Sequence, residues 1–300
     1  DPDEQARPLA AQAGRLRPPV SRLRAAGRQG FRALLFLAVA ITVVFLALPI
    51  VAIFWEVGLA QAIDGLRSDV ARDAFRVTLK TNAISMALIL GVGTPAAYFL
   101  ATRRFPGRSL IVTIIELPLV LPPAVAGLGL LVAFGRFGLL GEQLDSLGIT
   151  VGFTQVAVIL AITFVASPFY IRPAIAAFEA VDRTMLDASR TLGAGPAKTF
   201  WRVALPLAAG GLVAGAAVAF ARGLGEFGAT IMFAGSLQGV TQTVSLAIYQ
   251  EFDVNLDIAL AISALLVVTS GTLLLAVKAL PLWTGSRSTS RFPFARSAST

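Results

Sequence analysis

The chain has 300 residues, 56% of them hydrophobic and 14% charged, and its mean hydropathy is +0.78. A water-soluble protein of this length cannot hide that much apolar surface, so a soluble enzyme is excluded and an integral membrane protein is expected. The chain carries a formal net charge of +8 but no Cys and no His, so disulfides, thiolate chemistry, His/Cys zinc sites and histidine acid–base catalysis are excluded. Its arginines lie in short stretches beside long apolar runs, the pattern of membrane orientation and not of nucleic-acid binding.

Residues 1–30 and 284–300 are rich in Arg, Ala, Ser and Pro and read as disordered tails around a membrane domain at 31–283. Six stretches within that domain lack charge and suit a hydrocarbon core of roughly 30 Å: 33–55, 81–101, 117–135, 146–171, 203–221 and 258–277. Their apolar residues do not alternate, and Leu, Ala and Val occur all round. Helices are therefore expected, since each satisfies its own backbone within one segment. The first stretch is too long for the apolar part of a signal peptide and reads as a retained anchor.

The connections fix the expected orientation. Basic residues crowd positions 1–32, then Arg103, Arg104 and Arg108, then Arg172, Arg183, Arg190, Lys198 and Arg202, and finally Lys278, Arg287, Arg291 and Arg296. By contrast 223–257 holds no Lys or Arg, the connection after the third stretch holds only Arg136, and 56–76 is mixed. The positive-inside rule places both termini in the cytoplasm.

The connection 179–206 has an organisation of its own. Met185, Leu186, Ala188, Ser189 and Leu192 read as one side of an amphipathic helix, with Asp182, Arg183, Asp187 and Arg190 as its polar remainder. Gly193 is placed to end that helix, and Pro196 to begin a second short one. Two glycine patterns nearby are decoys. Gly193 to Thr199 fails phosphate-loop spacing, because Leu192 and Ala197 stand where glycines are required. Gly223-Leu-Gly225-Glu-Phe-Gly228 matches GxGxxG but follows a membrane stretch instead of a strand. No nucleotide site, catalytic residue, metal centre or bound cofactor is expected.

The run Asp187-Ala188-Ser189, three residues, Gly193, nine residues, Val203-Ala204-Leu205-Pro206 resembles the EAA loop of ABC-importer permeases, with Asp187 and Ser189 departing from Glu and Ala. Residues 103–108, 116–127, 219–230 and 241–249 resemble the molybdate branch of that family, of the type I, binding-protein-dependent kind. The related sulfate/thiosulfate permeases more often read Gly-Glu-Tyr-Gly-Ser at the Gly225 position. This resemblance implies an all-α polytopic fold of six transmembrane helices with a cytoplasmic coupling helix. It also implies a homodimer in the bacterial inner membrane, two separate ABC ATPase subunits at the cytoplasmic face, and an extracytoplasmic oxyanion-binding protein. The coupling residues would be Leu186, Asp187, Ala188, Ser189, Leu192, Gly193, Val203, Leu205 and Pro206. Met185, Leu186 and Leu192 are expected to be buried against the ATPase, helix-in-groove fashion.

The residues themselves suggest a pathway. Arg222 and Glu226 are the only charges between Val203 and Gln250, four apart, and so able to pair. Pro118, Pro122 and Pro123 interrupt the backbone ladder of the third stretch. Broken helices at membrane depth line cavities or are buried in protein. Pro118, Pro122, Pro123, Gly127, Arg222, Gly225, Glu226, Phe227, Gly228 and Thr230 are thus the expected lining of a translocation path. A carboxylate in an anion path repels cargo, so Glu226 is expected to orient Arg222 or the backbone. Competing readings are sulfate or thiosulfate as cargo, an intramembrane enzyme, and a membrane scaffold. The enzyme lacks a nucleophile–base set, and a scaffold does not need the loop at 187–206.

Overall fold

The computed structural model describes residues 20–285, and the tail at 1–19 and most of that at 284–300 lie outside them. Every element in it is helical. The chain divides into two compact units between Trp55 and Glu56. The first is a single long helix, α1 (Val20–Glu56), which passes through Pro49 without ending. It starts thirteen residues before the apolar stretch 33–55, inside the segment 1–30 expected to be disordered. Residues 21–28 read Ser-Arg-Leu-Arg-Ala-Ala-Gly-Arg, and Ala, Leu and Arg are strong helix formers that extend a helix already nucleated by the apolar run.

The second unit holds α2 (Leu59–Arg67), α3 (Asp69–Thr102), α4 (Arg108–Val120), α5 (Pro123–Phe134), α6 (Gly141–Ser146), α7 (Gln155–Glu179), α8 (Arg183–Thr191), α9 (Pro196–Thr199), a π-helical turn (Phe200–Ala204), α10 (Leu205–Leu224), α11 (Gly228–Ala234), α12 (Val244–Phe252) and α13 (Leu256–Gly285). Five helices in the described residues are long and apolar enough to span a membrane, and the bent pair α4–α5 makes a sixth if counted as one span. The expected stretch 146–171 shifts to Gln155–Glu179, because Gly148 and Phe153, both at positive φ, keep the residues just before Thr154 out of the helix. Thr154 then caps it, accepting from Val156 N–H at 3.2 Å.

The third stretch, 117–135, is not one helix. It divides into α4 and α5, bent by 116°. Pro118 sits inside α4 and does not end it. The tandem Pro122-Pro123 does: each proline drives the residue before it into extended backbone, and Leu121 and Pro122 take ψ of 132° and 134°. Pro123 then opens α5 at the first turn, where no N–H is needed.

Helix α7 is the axis of this unit. Its buried face, from Ala157 through Ile162 and Tyr170 to Phe178, is enclosed by α3 and α10. The approach of α10 depends on residues without bulk. Gly211, Gly215, Ala219 and Gly223 recur every four residues along one face. A Cβ on Gly211 would lie 2.6 Å from Ala177 Cβ, one on Gly215 3.2 Å from Pro173 Cβ, and one on Gly223 would run into the Asn82 amide. Contacts of this kind hold membrane helices together where lipid leaves little hydrophobic drive. Polar atoms supplement them. Asn82 Nδ2 donates to Phe220 O at 3.1 Å and Ser85 Oγ to Ile159 O at 3.0 Å. A smaller cluster joins α3, α12 and α13 through Ala71, Ala74, Val244, Ala247 and Ile262.

Gly211→Leu should push α10 off α7 and destabilise the unit by about 1–3 kcal/mol, the usual cost of overpacking. Gly210→Ala, where a Cβ meets nothing within 4 Å, should be neutral or slightly stabilising. Thermal unfolding in detergent micelles separates the two.

Candidate functional site

The segment after α7 forms the expected hook. Asp182 caps α8, accepting from Thr184 N–H at 2.9 Å, and these hydrogen bonds hold its carboxyl below the usual carboxylate range. At the far end Gly193 takes φ +82°, a left-handed conformation that ends the helix, and Ala194 N–H returns to Ser189 O at 3.0 Å. Pro196 opens α9 at its first turn. The hook then joins the membrane helix through the π turn, in which Leu205 N–H bonds to Phe200 O.

Three contacts tie the hook to the helices. Ser189 Oγ and Thr199 Oγ1 lie 2.9 Å apart, linking α8 to α9. Phe200 enters an aromatic group with Tyr98 of α3 and Phe178 of α7, with ring centroids 4.9 and 6.3 Å away. Leu186, 6% exposed, joins the main core. Leu186 therefore corrects the sequence expectation: it faces inward and is not available to a partner. Helical geometry gives the reason, because Arg183, Leu186, Asp187 and Arg190 follow i, i+3, i+4, i+7 and share one face. Met185, Ala188 and Leu192 lie on the opposite face and are exposed, Leu192 to 88%. Asp187 pairs with Arg190 at 3.1 Å on the inward-turned face. Val203 and Leu205 pack at the edge of the core, and Pro206 is exposed in the first turn of α10. The sequence reading does not single out Phe200, Tyr98, Phe178 and Thr199 as anchors; the aromatic at 200, four residues after Pro196 opens the second short amphipathic helix, is the available signal.

The pathway candidates lie at the other end of α10. That helix stops at Leu224, and the chain turns through Gly225 to Phe227 before α11. Arg222 and Glu226 span this break. Their Nη2 and Oε2 atoms are 2.8 Å apart, an ion pair whose angle falls short of a hydrogen bond. Glu226 Oε1 accepts from Ala229 N–H at 2.8 Å and so closes the first turn of α11. Glu226 thus orients both Arg222 and the backbone, and Ala229 N–H is already occupied. Arg222 also lies over the Phe169 ring, 5.9 Å from its centroid. α11 packs tightly on α5: a Cβ on Gly127 would come within 2.6 Å of Ala229 O, and one on Gly228 within 2.5 Å of Pro123 Cβ.

The structure therefore brings Pro123, Gly127, Gly228 and Glu226 together but divides the expected lining. Gly127, Glu226 and Thr230 are buried within the chain. Pro122, Pro123 and Gly225 are exposed, and Pro118, Arg222, Phe227 and Gly228 are half-buried. Thr230 Oγ1 is buried with no hydrogen-bond partner.

With this geometry in hand, comparison with known proteins is decisive. The family model for the inner membrane component of binding-protein-dependent transport systems matches residues 91–279. The chain belongs to this family. It is 42% identical to the molybdenum transport system permease protein ModB of Mycobacterium tuberculosis over 82% of this chain and 93% of that one. It is 37% identical to the sulfate transport system permease protein CysW of Synechococcus elongatus over 68% and 73%. Among solved structures, a bacterial ABC transporter involved in the import of the acidic polysaccharide alginate superposes with a TM-score of 0.64 and 19% identity, covering 90% of this chain and all of that one. That likeness shows the fold. The chain is thus a multi-pass inner-membrane transport component with the permease fold.

Because its carboxyl titrates low, Asp182 caps α8 throughout the neutral range. The stabilisation is present above the ordinary carboxylate pKa near 4 and is lost as pH falls through the lowered value. Hydrogen exchange at Thr184 to Ser189, corrected for intrinsic rates, should show pH-independent protection down to about pH 4. Asp182→Ala should lower that protection throughout this pH range, and Asp182→Asn should largely retain it.

Proposed function

We propose that this chain is the pore-forming subunit of an ATP-driven importer of molybdate or tungstate. Two copies form the pore, each with both termini in the cytoplasm. Two separate ATPases grip the two α8 hooks, and an extracytoplasmic binding protein delivers the oxyanion. The observation that carries this reading is the hook itself, an EAA-type segment whose outer face is unpartnered while its inner face is locked to α3, α7 and α9. Met185, Ala188 and Leu192 form the exposed face a motor subunit would bury. The 42% identity to a molybdenum permease along most of both chains favours that cargo.

The mechanism follows from how the hook is fastened. Closure of the ATPases draws the two hooks together. Each hook is tied to α10 by the π turn, and to α3 and α7 by Phe200 and Leu186, so the force rotates the packed helices as a body. Helix α10 carries that rotation to the break at Gly225, where Arg222 supplies positive charge and Glu226 fixes its direction. Pro122, Pro123, Arg222, Gly225 and Phe227 are the path-lining residues this reading favours. Gly127, Gly228 and Thr230 let α5 and α11 close on each other. Discrimination among oxyanions belongs mainly to the binding protein, since a transient path need only be permissive. The identity to the sulfate permease supports a second reading in which sulfate is the cargo.

Uptake in proteoliposomes holding the complete complex, with molybdate and sulfate offered together at equal concentration, should favour molybdate. Preferential sulfate uptake would replace the first reading with the second.

Gly193 allows a sharper test of the hook. No atom lies within 4 Å of a Cβ built there, so only its positive φ resists substitution. Gly193→Val should abolish ATPase co-purification and uptake while the membrane unit stays folded, and Gly193→Asn, which tolerates that backbone, should retain most of both. Full ATPase binding by the Val variant would remove the docking role.

A further inference from the structure

The inward-turned face of α8 leaves a cleft of 460 Å³ against the α3–α4 connection. Arg103 and Arg104 line it from the connection, Arg108 from the first turn of α4, and Arg183 and Arg190 from α8, opposed by Glu179 and Asp187. Arg108 donates to Glu179 at 2.7 Å, and Arg190 to Asp187 at 3.1 Å. Among the described residues, Arg103, Arg104 and Arg183 have no carboxylate within 4.0 Å. Three arginines without an ion-pair partner lining one concavity make a site for an anion with several oxygens, because planar guanidinium forks match phosphate geometry.

The surroundings identify the bearer of that anion. The connection lies where α3 leaves, and α4 enters, an apolar helical segment. On α4, Leu110, Ile114 and Leu117 recur at i, i+4, i+7 and are 64%, 59% and 50% exposed. Phe99, in the last turn of α3, is also exposed and lies 5.4 Å from the Phe105 ring of the connection. A charged cleft bordered by an apolar stripe has the two-part form of a phospholipid. A motor subunit is a poorer fit, since the face proposed to hold it, with Met185 and Leu192, is on the other side of α8.

We propose that this cleft binds the head group of an anionic phospholipid of the inner leaflet, its phosphate bridging the α3–α4 connection and the coupling helix. Basic recesses between helices at the cytoplasmic side are suited to such head groups. The proposal rests on the reading that α8 is the cytoplasmic coupling helix. It deepens that reading: a bound lipid clamps the hook to α3, so transmission from the ATPase to the pore depends on the charge of the membrane.

The test uses the full complex of permease, ATPase and binding protein in nanodiscs of phosphatidylcholine with a minor share of phosphatidylglycerol. Native mass spectrometry reads the retained lipid, and ATP hydrolysis reads the coupling. The wild-type complex should retain phosphatidylglycerol above its bulk share and hydrolyse ATP faster in its presence. Each arginine removed in R103Q, R104Q and R183Q should weaken retention about fivefold, while the ATPase stays bound. R103K/R104K/R183K keeps the charge that orients the chain and should retain lipid at an intermediate level. If the triple variant R103Q/R104Q/R183Q, which combines these changes, does not insert, wild-type enrichment and the single R183Q variant decide the matter.

Four results would overturn the proposal. They are no enrichment of phosphatidylglycerol in the wild type, unchanged retention in the Gln variants, loss of the ATPase from those variants, and displacement of the lipid by millimolar inorganic phosphate. The last would assign the cleft to a free anion. A wild-type complex that binds no ATPase at all would instead overturn the coupling role of α8.

Discussion

Side-chain bulk is missing from one face of α10, and the rest of the membrane unit depends on that gap. Gly211, Gly215, Ala219 and Gly223 allow the backbone of α10 to lie almost on α7. In lipid there is little hydrophobic gain from bringing two apolar helices together, so dispersion at short range and a few hydrogen bonds must hold them. The Asn82 amide donating to Phe220 O is one such bond, and it is available only because Gly223 has no side chain to fill its place. Helix α10 is thereby made rigid against α7 and α3 along its 20 residues, about 30 Å of rise.

That rigidity matters because α10 joins the two parts of the chain that carry function. At its beginning it continues from the hook through a π turn with no loop between them. At its end it breaks beside Arg222 and Glu226. A displacement imposed on α8 has few soft places in which to dissipate: Ser189 holds Thr199, Phe200 is set among Tyr98 and Phe178, and Leu186 is in the core. Besides the turn at Gly193, the π turn is the irregular backbone element on this route, and such turns gather at functional positions.

The break after α10 shows how a buried charge is made tolerable. Glu226 has almost no exposure, and an isolated carboxylate there would be costly. It is matched twice, by Arg222 across the break and by the Ala229 amide at the start of α11. The same residue therefore caps a short helix and aims a guanidinium. In an anion path this arrangement leaves the positive group as the accessible member of the pair, with Arg222 27% exposed against 1% for Glu226.

Much of this was determined by local sequence. The apolar stretches, the Gly193 turn, the Pro196 restart and the break at Pro122-Pro123 follow from transfer free energy and backbone sterics, which act on neighbouring residues alone. The pairing of Arg222 with Glu226 was legible for the same reason, four residues being within one side chain's reach. What the tertiary structure alone decided was which face of each element is used. The apolar members of α8 divide between the chain's own core and an open face, and only the position of α3 and α7 assigns Leu186 to the first and Leu192 to the second. The glycines of α10 divide likewise, Gly211 against Ala177 and Gly210 against nothing. Residues distant in the chain, such as Arg103 and Arg183, come to share a cleft for the same physical reason: periodicity fixes what lies on a face, but only packing fixes what that face meets.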